Sequence, residues 1–342
     1  MNKVAIVIPY MGKLPKNTKT FLLSCSYNPE IDWKIFIDQD TEYETFAPSN
    51  VTFIKSSLKQ IKERIIKITK LKSINLTNGY KLCDYRPLYG QIFSDFLTGY
   101  DYWGYSDMDV VYGDLMKYIK AGIGQHVEKI GELGHLTIIR NSAIANKRYL
   151  LPISENEKRI NLFKDVISQT DKICHFDEGP GLDTIYQQYQ LDVYHNVDLA
   201  GDILFENLDL NSNDKRFTNK KSCYVWHAGH AYYSYHRNKN IFKHEYGYLH
   251  FQKRHFQNFI SETSHLRTFS ITTKGYSEME DFSGSSITAA IANNHSPLFQ
   301  RLRYTGHLYF KTNTFTNRKA FGYYLPVKYI LWRIFKRRDF RI

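Results

Sequence analysis

Val4 to Ile8 is an unbroken apolar run, stopped by Pro9-Tyr10-Met11-Gly12. A strand apolar at every position is buried on both faces, the condition of a strand inside a parallel sheet with helices on either side. The next segments repeat the alternation. Pro15 and Asn17 open an amphipathic helix through Phe21, Leu22 and Cys25 that ends near Asn28-Pro29. Trp33 to Ile37 and Val51 to Lys55 read as strands, and Ser56-Ser57 lead into a lysine-rich helix with Leu58, Ile61, Ile65 and Ile68 on one face. The pattern predicts an α/β fold with a doubly wound sheet flanked by helices. In such sheets ligands sit beyond the carboxyl ends of strands, where Tyr10, Asp38, Asp107 and Asp109 all fall.

Further along, Pro87 is placed as the first residue of a helix running through Phe93 and Phe96 to Gly99, which leaves Lys81, Asp84 and Arg86 on the entering loop. The dominant strand follows. Residues Tyr100 to Leu115, Y-D-Y-W-G-Y-S-D-M-D-V-V-Y-G-D-L, drive an aromatic run into two carboxylates and turn at Gly113-Asp114. Residues 134–141 read as another strand, with Asn141 or Ser142 capping a short helix. Phe176 to Asp183 is a loop with three acids that feeds a helix through Tyr186 and Tyr189, and Tyr246 to Arg254 is a strand ending in an imidazole and two cations. From about Phe256 the texture becomes rich in Ser, Thr and Asn. The expected division is therefore a main α/β domain over 1–255 and an appendage over 256–342.

The net charge of +12 suggests nucleic acid until it is located. From Arg301 onward there are eleven lysines and arginines against the single acid Asp339, a net of +10, so the body is nearly neutral. No nucleic-acid motif appears, and no nucleic-acid partner is expected. The tail instead holds a helix starting near Pro326, with Val327, Ile330, Leu331, Ile334 and Phe335 on one side and Lys328, Arg333, Lys336 and Arg337 flanking. That profile fits a helix lying on an anionic membrane surface. The apolar start is too short for a signal peptide and no run approaches a spanning helix, so a cytoplasmic protein is expected. The four scattered cysteines, Cys25, Cys83, Cys174 and Cys223, read as reduced thiols.

Asp107 and Asp109 can aim at one point, because residues i and i+2 of a strand share a face. Paired carboxylates suit a hard cation such as Mg2+ or Mn2+, and such a cation suits a diphosphate. The triplet alone says little, since Asp38-Gln39-Asp40 has the same form. His227 and His230 in W-H-A-G-H have a spacing that would bind metal on a helix, although surface or core histidines are the better reading. The lysines between Lys55 and Lys72 are read as the solvated face of a helix.

With these residues assembled, the chain resembles a GT-A glycosyltransferase, and more closely a small bacterial family of capsule and O-antigen biosynthesis. The matching pieces are Val7 to Tyr10 with Gly12, Tyr80 to Gly90 (Y-K-L-C-D-Y-R-P-L-Y-G), Asp107 to Asp114, Phe176 to Glu178 and His250 to Arg254. Met11, Arg86 and Gly179-Pro180 depart from the commoner residues at their positions. The resemblance implies a Rossmann-like, mixed but mainly parallel sheet in which Asp107 and Asp109 hold Mn2+ or Mg2+ against the diphosphate of a nucleotide sugar. It makes His250 a third ligand or a diphosphate contact, and Lys253 and Arg254 countercharges to phosphate. Pro9, Tyr10 and Asp38 would meet the base and ribose. Lys81 and Arg86 would contact the nucleotide, with Asp84 holding Arg86, or these three form a structural ion pair. Asp177 and Glu178 would line the sugar pocket and, in an inverting enzyme, supply the base.

The expected activity is transfer of a hexose, galactose or glucose, from a UDP-sugar to a lipid-linked glycan at the inner face of the bacterial cytoplasmic membrane. Two alternatives stand beside it. A metal-dependent phosphodiesterase would want a denser His/Asp cluster, and a non-enzymatic membrane or nucleic-acid module would be led by the tail.

Overall fold

The computed structural model describes residues 2–155, 158–160, 162–168, 173–203, 210, 214–217, 221–252, 257–260, 263 and 265–294. The first elements are β1 (Val4–Tyr10), α1 (Thr18–Ser26), β2 (Ile31–Ile37), β3 (Val51–Lys55) and α2 (Leu58–Thr69). β1 pairs in parallel with β2, and β2 with β3. Val4, Ile6 and Ile8 enter the core on one side of the sheet and Ala5 and Val7 the core on the other, which is why the run is apolar throughout. Ser57 caps α2 by accepting from the Gln60 N–H, while the Gln60 side chain accepts from the Ser57 N–H. The helix buries Ile61 and Ile65 and leaves Lys59, Lys67 and Lys70 in solvent.

The expected helix from Pro87 to Gly99 is not formed as one piece. Residues Gly79–Leu88 wind as a 3₁₀ helix with Pro87 inside it, followed by the single turn α3 (Tyr89–Ile92) and a second 3₁₀ turn at Ser94–Phe96. From Lys81 to Gly90 every residue but Cys83 is buried, so tertiary contacts on all sides, rather than one apolar stripe, set the winding. A Cβ on Gly90 would lie 2.5 Å from the Trp103 ring.

β4 (Tyr102–Ser106) lies in parallel beside β1. β5 (Val110–Tyr112) and α4 (Leu115–Gly124) follow, the helix capped by Asp114, whose carboxylate accepts from the Lys117 N–H. Where one strand was expected over 134–141 there is a hairpin, β6 (Lys129–Leu133) and β7 (Leu136–Arg140), with Gly134-His135 as its turn. β8 (Ile153–Glu155) and β9 (Lys158–Ile160) form a small hairpin before α5 (Leu162–Ser168), α6 (Thr184–Gln188) and β10 (Val193–Tyr194). The central sheet has the order β10-β6-β7-β4-β1-β2-β3, with β7 antiparallel to both its neighbours and the other pairs parallel. This is the mixed, mainly parallel sheet expected from the sequence.

The remaining strands are β11 (Ala200–Asp202), β12 (Ser222–His227), β13 (His230–Arg237), β14 (Asn240–Tyr246), β15 (Tyr248–His250), β16 (Gln257–Asn258), β17 (Thr268–Thr272) and β18 (Gly275–Glu278). β11, β15 and β5 make a three-stranded sheet, and β14-β13-β12-β17-β18-β16 a six-stranded one. The helix α7 (Gly284–Asn293) packs Ile287 and Ile291 on Cys223 and Val225 of β12. Because β12 pairs with β17, strands from both sides of position 255 are neighbours in a single sheet. The expected amphipathic helix after Pro326 lies outside the described residues, as do Lys253 and Arg254.

Candidate functional site

The D-M-D turn is where the chain leaves one sheet for another. β1, β2 and β4 run parallel, so Tyr10, Asp38 and Asp107 stand at the same edge of the central sheet. One residue beyond Asp109 the chain enters β5, which belongs to the three-stranded sheet. The turn's backbone is pinned at each residue. The Asp107 N–H donates to the His135 carbonyl (3.1 Å), Asn17 Nδ2 donates to the Met108 carbonyl (2.9 Å), and the Phe251 N–H donates to the Asp109 carbonyl (3.2 Å).

β15 lies antiparallel to β5, with His250 opposite Val110, and parallel to β11, with His250 opposite Asp202. The register thus delivers His250 to the two aspartates. Its Nε2 is 3.4 Å from Asp109 Oδ1 and 3.8 Å from Asp107 Oδ2, while its Nδ1 is 2.8 Å from Asp202 Oδ1. Ligand atoms of Asp107, Asp109 and His250 all lie within 4.8 Å of one another. Two carboxylate oxygens and an imidazole nitrogen facing one point are a donor set that fits Mg2+ or Mn2+.

The electrostatics reflect that crowding of negative charge. Burial alone would favour a neutral His250, but hydrogen bonds to Asp109 and Asp202 and the charges of Asp109 and Asp107 prevail and push its pKa up to about 10. His135 stacks on it, ring centroids 3.9 Å apart and planes at 24°. Burial and the neighbouring imidazolium push His135 down to about 3. Half-buried Tyr10 has its phenol raised by burial and then by the charges of Asp109 and Asp107, which ties it to the same site.

Arg86 joins this site to the F-D-E segment. Its Nη2 pairs with Asp107 Oδ1, and its Nη1 donates to Asp177 Oδ2 and to the Gly134 carbonyl, each at 2.8 Å. The buried guanidinium is kept protonated by the carboxylates it joins, Asp107 foremost. Burial pushes the Asp177 carboxyl up to about 6, against the pull of Arg86. Gly134 leaves the room this requires, since a Cβ there would fall 2.7 Å from Asp177 Oδ2 and from Glu178 Cγ. Glu178 is half-exposed, 3.6 Å from His175 Nδ1.

Other expected residues are placed differently. Asp84 does not hold Arg86. It pairs with Lys81 at 2.7 Å, both side chains fully buried, and accepts from the backbone N–H groups of Cys174 and Phe176. The pair ties the 3₁₀ segment to residues 174–176, the structural alternative left open by the sequence. Asp38 accepts from the Gly12 N–H at 2.8 Å and so closes the Pro9 to Gly12 turn, where Gly12 has φ +95°. His227 and His230 face each other across the β12–β13 hairpin, not on a helix, and bond Thr268 and Glu245. Sequence reasoning missed Asp202 and His135. The two lie 48 and 115 positions from His250, and no local pattern marks them; Gln252, which donates to Asp202, stood in the His250 to Arg254 motif without a role.

Three solved structures show distant likeness. Mouse xyloside xylosyltransferase 1, in its apo form, has a TM-score of 0.36 at 6% identity over 60% of this chain and 88% of that one. The apo-form glycosyltransferase GlyE of Streptococcus pneumoniae TIGR4 has a TM-score of 0.32 at 13% identity, over 59% of this chain and 47% of that one. The galactosyltransferase LgtC, in complex with donor and acceptor sugar analogues, has a TM-score of 0.29 at 13% identity, over 58% and 75%. The chain thus spans less than half the length of GlyE, and likenesses this distant carry no assignment of activity. No curated protein matches the sequence. Residues 6–280 match a family of unknown function (DUF6625), and over that span the chain belongs to it.

Proposed function

We propose that the protein is a metal-dependent glycosyltransferase that moves a hexose, galactose or glucose, from a UDP-sugar to a lipid-linked glycan of a cell-surface polysaccharide. The observation that carries this reading is the convergence of Asp107, Asp109 and His250 at the edge of the central sheet that also holds Tyr10 and Asp38. Bound there, Mn2+ or Mg2+ supplies the positive charge that a departing nucleoside diphosphate requires. Tyr10 stacks on the base and Asp38 hydrogen-bonds the ribose at the ends of β1 and β2. Arg86 pairs with Asp107 and with Asp177 and so fixes the two carboxyl groups relative to each other. The Asp177 carboxyl, raised to about 6, stands near the range useful for proton transfer, and Glu178 offers a more open carboxylate for the acceptor hydroxyl. Lys253 and Arg254, the two residues that follow Gln252 in the sequence, add positive charge for the diphosphate.

The basic segment after Leu325 supports a place at the inner face of the cytoplasmic membrane, where a lipid-carried acceptor is presented. No helix among the described residues is long and apolar enough to cross a membrane.

Asp109→Ala is expected to abolish both Mn2+ binding and the slow hydrolysis of UDP-hexoses, with the circular dichroism spectrum unchanged. Turnover retained by a folded Asp109→Ala protein refutes the assignment. A thermal-shift panel of nucleotide sugars, with and without Mn2+, identifies the donor by the largest stabilisation.

A further inference from the structure

We propose that Asp202 is the positioning residue of the candidate centre: it accepts a hydrogen bond from Nδ1 of His250 and so turns Nε2 toward Asp107 and Asp109. The inference rests on the reading of those three residues as ligands of a divalent cation.

An imidazole has two nitrogens, and which of them presents a lone pair is decided by the partner of the other. A carboxylate accepts hydrogen bonds, and both oxygens of Asp202 are placed as acceptors, facing His250 and the Gln252 amide. At 2.8 Å from Asp202 Oδ1, Nδ1 of His250 must therefore carry the proton. Nε2 is then the nitrogen with a lone pair whenever the ring is neutral, and it is the one facing the two aspartates.

The carboxylate is itself oriented. β11 and β15 are adjacent parallel strands with Asp202 opposite His250, and the Ile203 N–H donates to the His250 carbonyl at 3.0 Å, which locks the register at this pair. Gln252 Nε2 lies 3.2 and 3.1 Å from the two Asp202 oxygens. It does so from φ +36°, a backbone region that residues other than glycine seldom occupy. His135 covers one face of the His250 ring and is held by Tyr248, whose hydroxyl is 2.8 Å from its Nδ1. His135, Asp202 and His250 also bring ligand atoms within 4.8 Å of one another. A cation in that group would have to displace the proton between Nδ1 and Asp202, so the group is assigned as an orienting shell.

The test is Mn2+ titration by calorimetry on the full-length protein, beside magnesium-titrated nitrogen-15 spectra of its histidine side chains. Wild-type protein is expected to bind one Mn2+ per chain. Asp202→Ala should bind it 10- to 100-fold more weakly with the same thermal transition, the usual loss on removing such a partner. Asp202→Asn keeps an acceptor oxygen for Nδ1 and should lose less. In wild type saturated with Mg2+, His250 should be found with its proton on Nδ1. Unchanged affinity in Asp202→Ala, a second ion per chain that the variant loses, or His250 protonated on Nε2 would each overturn the proposal. If Asp202→Ala fails to fold, the wild-type tautomer decides. Wild-type protein that binds no ion brings down the glycosyltransferase reading as well. Binding that is lost in Asp109→Ala but kept in Asp202→Ala brings down this inference alone.

Discussion

Two carboxylates, Asp107 and Asp177, share the guanidinium of Arg86, which is only 9% exposed. Removing one partner from such a group leaves buried charge uncompensated, at a typical cost of about 3–5 kcal/mol. Arg86→Ala should therefore lose several kcal/mol of stability in urea denaturation. Arg86→Lys should recover only part of that, because a single ammonium cannot span Asp107, Asp177 and the Gly134 carbonyl together. Asp177 adds a pH dependence. Its folded pKa of about 6 lies above the ordinary 3.8, so the folded state takes up the proton first as pH falls. Its contribution to stability is thus complete below about pH 4 and is lost as pH rises through 6. Wild-type stability measured relative to Asp177→Asn should increase between pH 7.5 and pH 4.5; a flat difference would show that Asp177 is not the raised carboxyl. The Y-K-L-C-D-Y-R-P run marked Arg86 and Asp84 as important. The partners of Arg86 were beyond reach, because they lie 21 and 91 positions away; an ion pair of Asp84 with Lys81 stood among the alternatives, but its bonds to the backbone at 174–176 did not.

Elements were legible where one face or both faces of a segment had to be apolar. β1, β3 and α2 fall where the runs at Val4, Val51 and Leu58 put them, because burial dictates the period. The segment from Lys81 to Gly90 defeated that logic, since a piece of chain buried at nearly every position carries no period. The strands β11 and β15 are three residues each, too short to show one, and they bring Asp202 and His250 together. The D-x-D-V-x-x-G-D motif also divides in the fold. Its first two aspartates face His250, whereas Asp114 caps α4. Asn28 anchors the same junction: its Nδ2 donates to the Ser24 and Gly113 carbonyls and its Oδ1 accepts from the Leu115 N–H. Asp114→Ala should cost about 1 kcal/mol, as for other cap removals. Asn28→Ala, which leaves three buried backbone groups without their side-chain partner, should cost more, about 1–3 kcal/mol or above. Urea denaturation of the two variants side by side checks the order.

At the scale of the whole molecule, the division expected at residue 255 falls between strands of one sheet. A fragment ending at 255 lacks β17, which pairs with β12, and β18, which pairs with β17, and should show no cooperative unfolding transition. A fragment ending at Asn294 keeps every described sheet and α7 and should unfold cooperatively and bind Mn2+ as tightly as the full chain is expected to. Co-sedimentation with vesicles containing anionic lipid separates the roles: the full chain should pellet with them and the 1–294 fragment should stay in the supernatant. A composition change near Phe256 was visible in the sequence, but sheet membership depends on pairing between distant segments, which composition does not encode.

The three-stranded sheet has one more consequence, for the order of events during synthesis. Asp107 and Asp109 leave the ribosome almost a hundred residues before Asp202 and well over a hundred before His250. A nascent chain therefore carries an exposed pair of carboxylates long before the ring that completes their grip exists. On the proposed reading, ion capture would wait until β15, with β11 beside it, closes on β5, so a captured cation would act as a clasp on a seam between segments far apart in the chain.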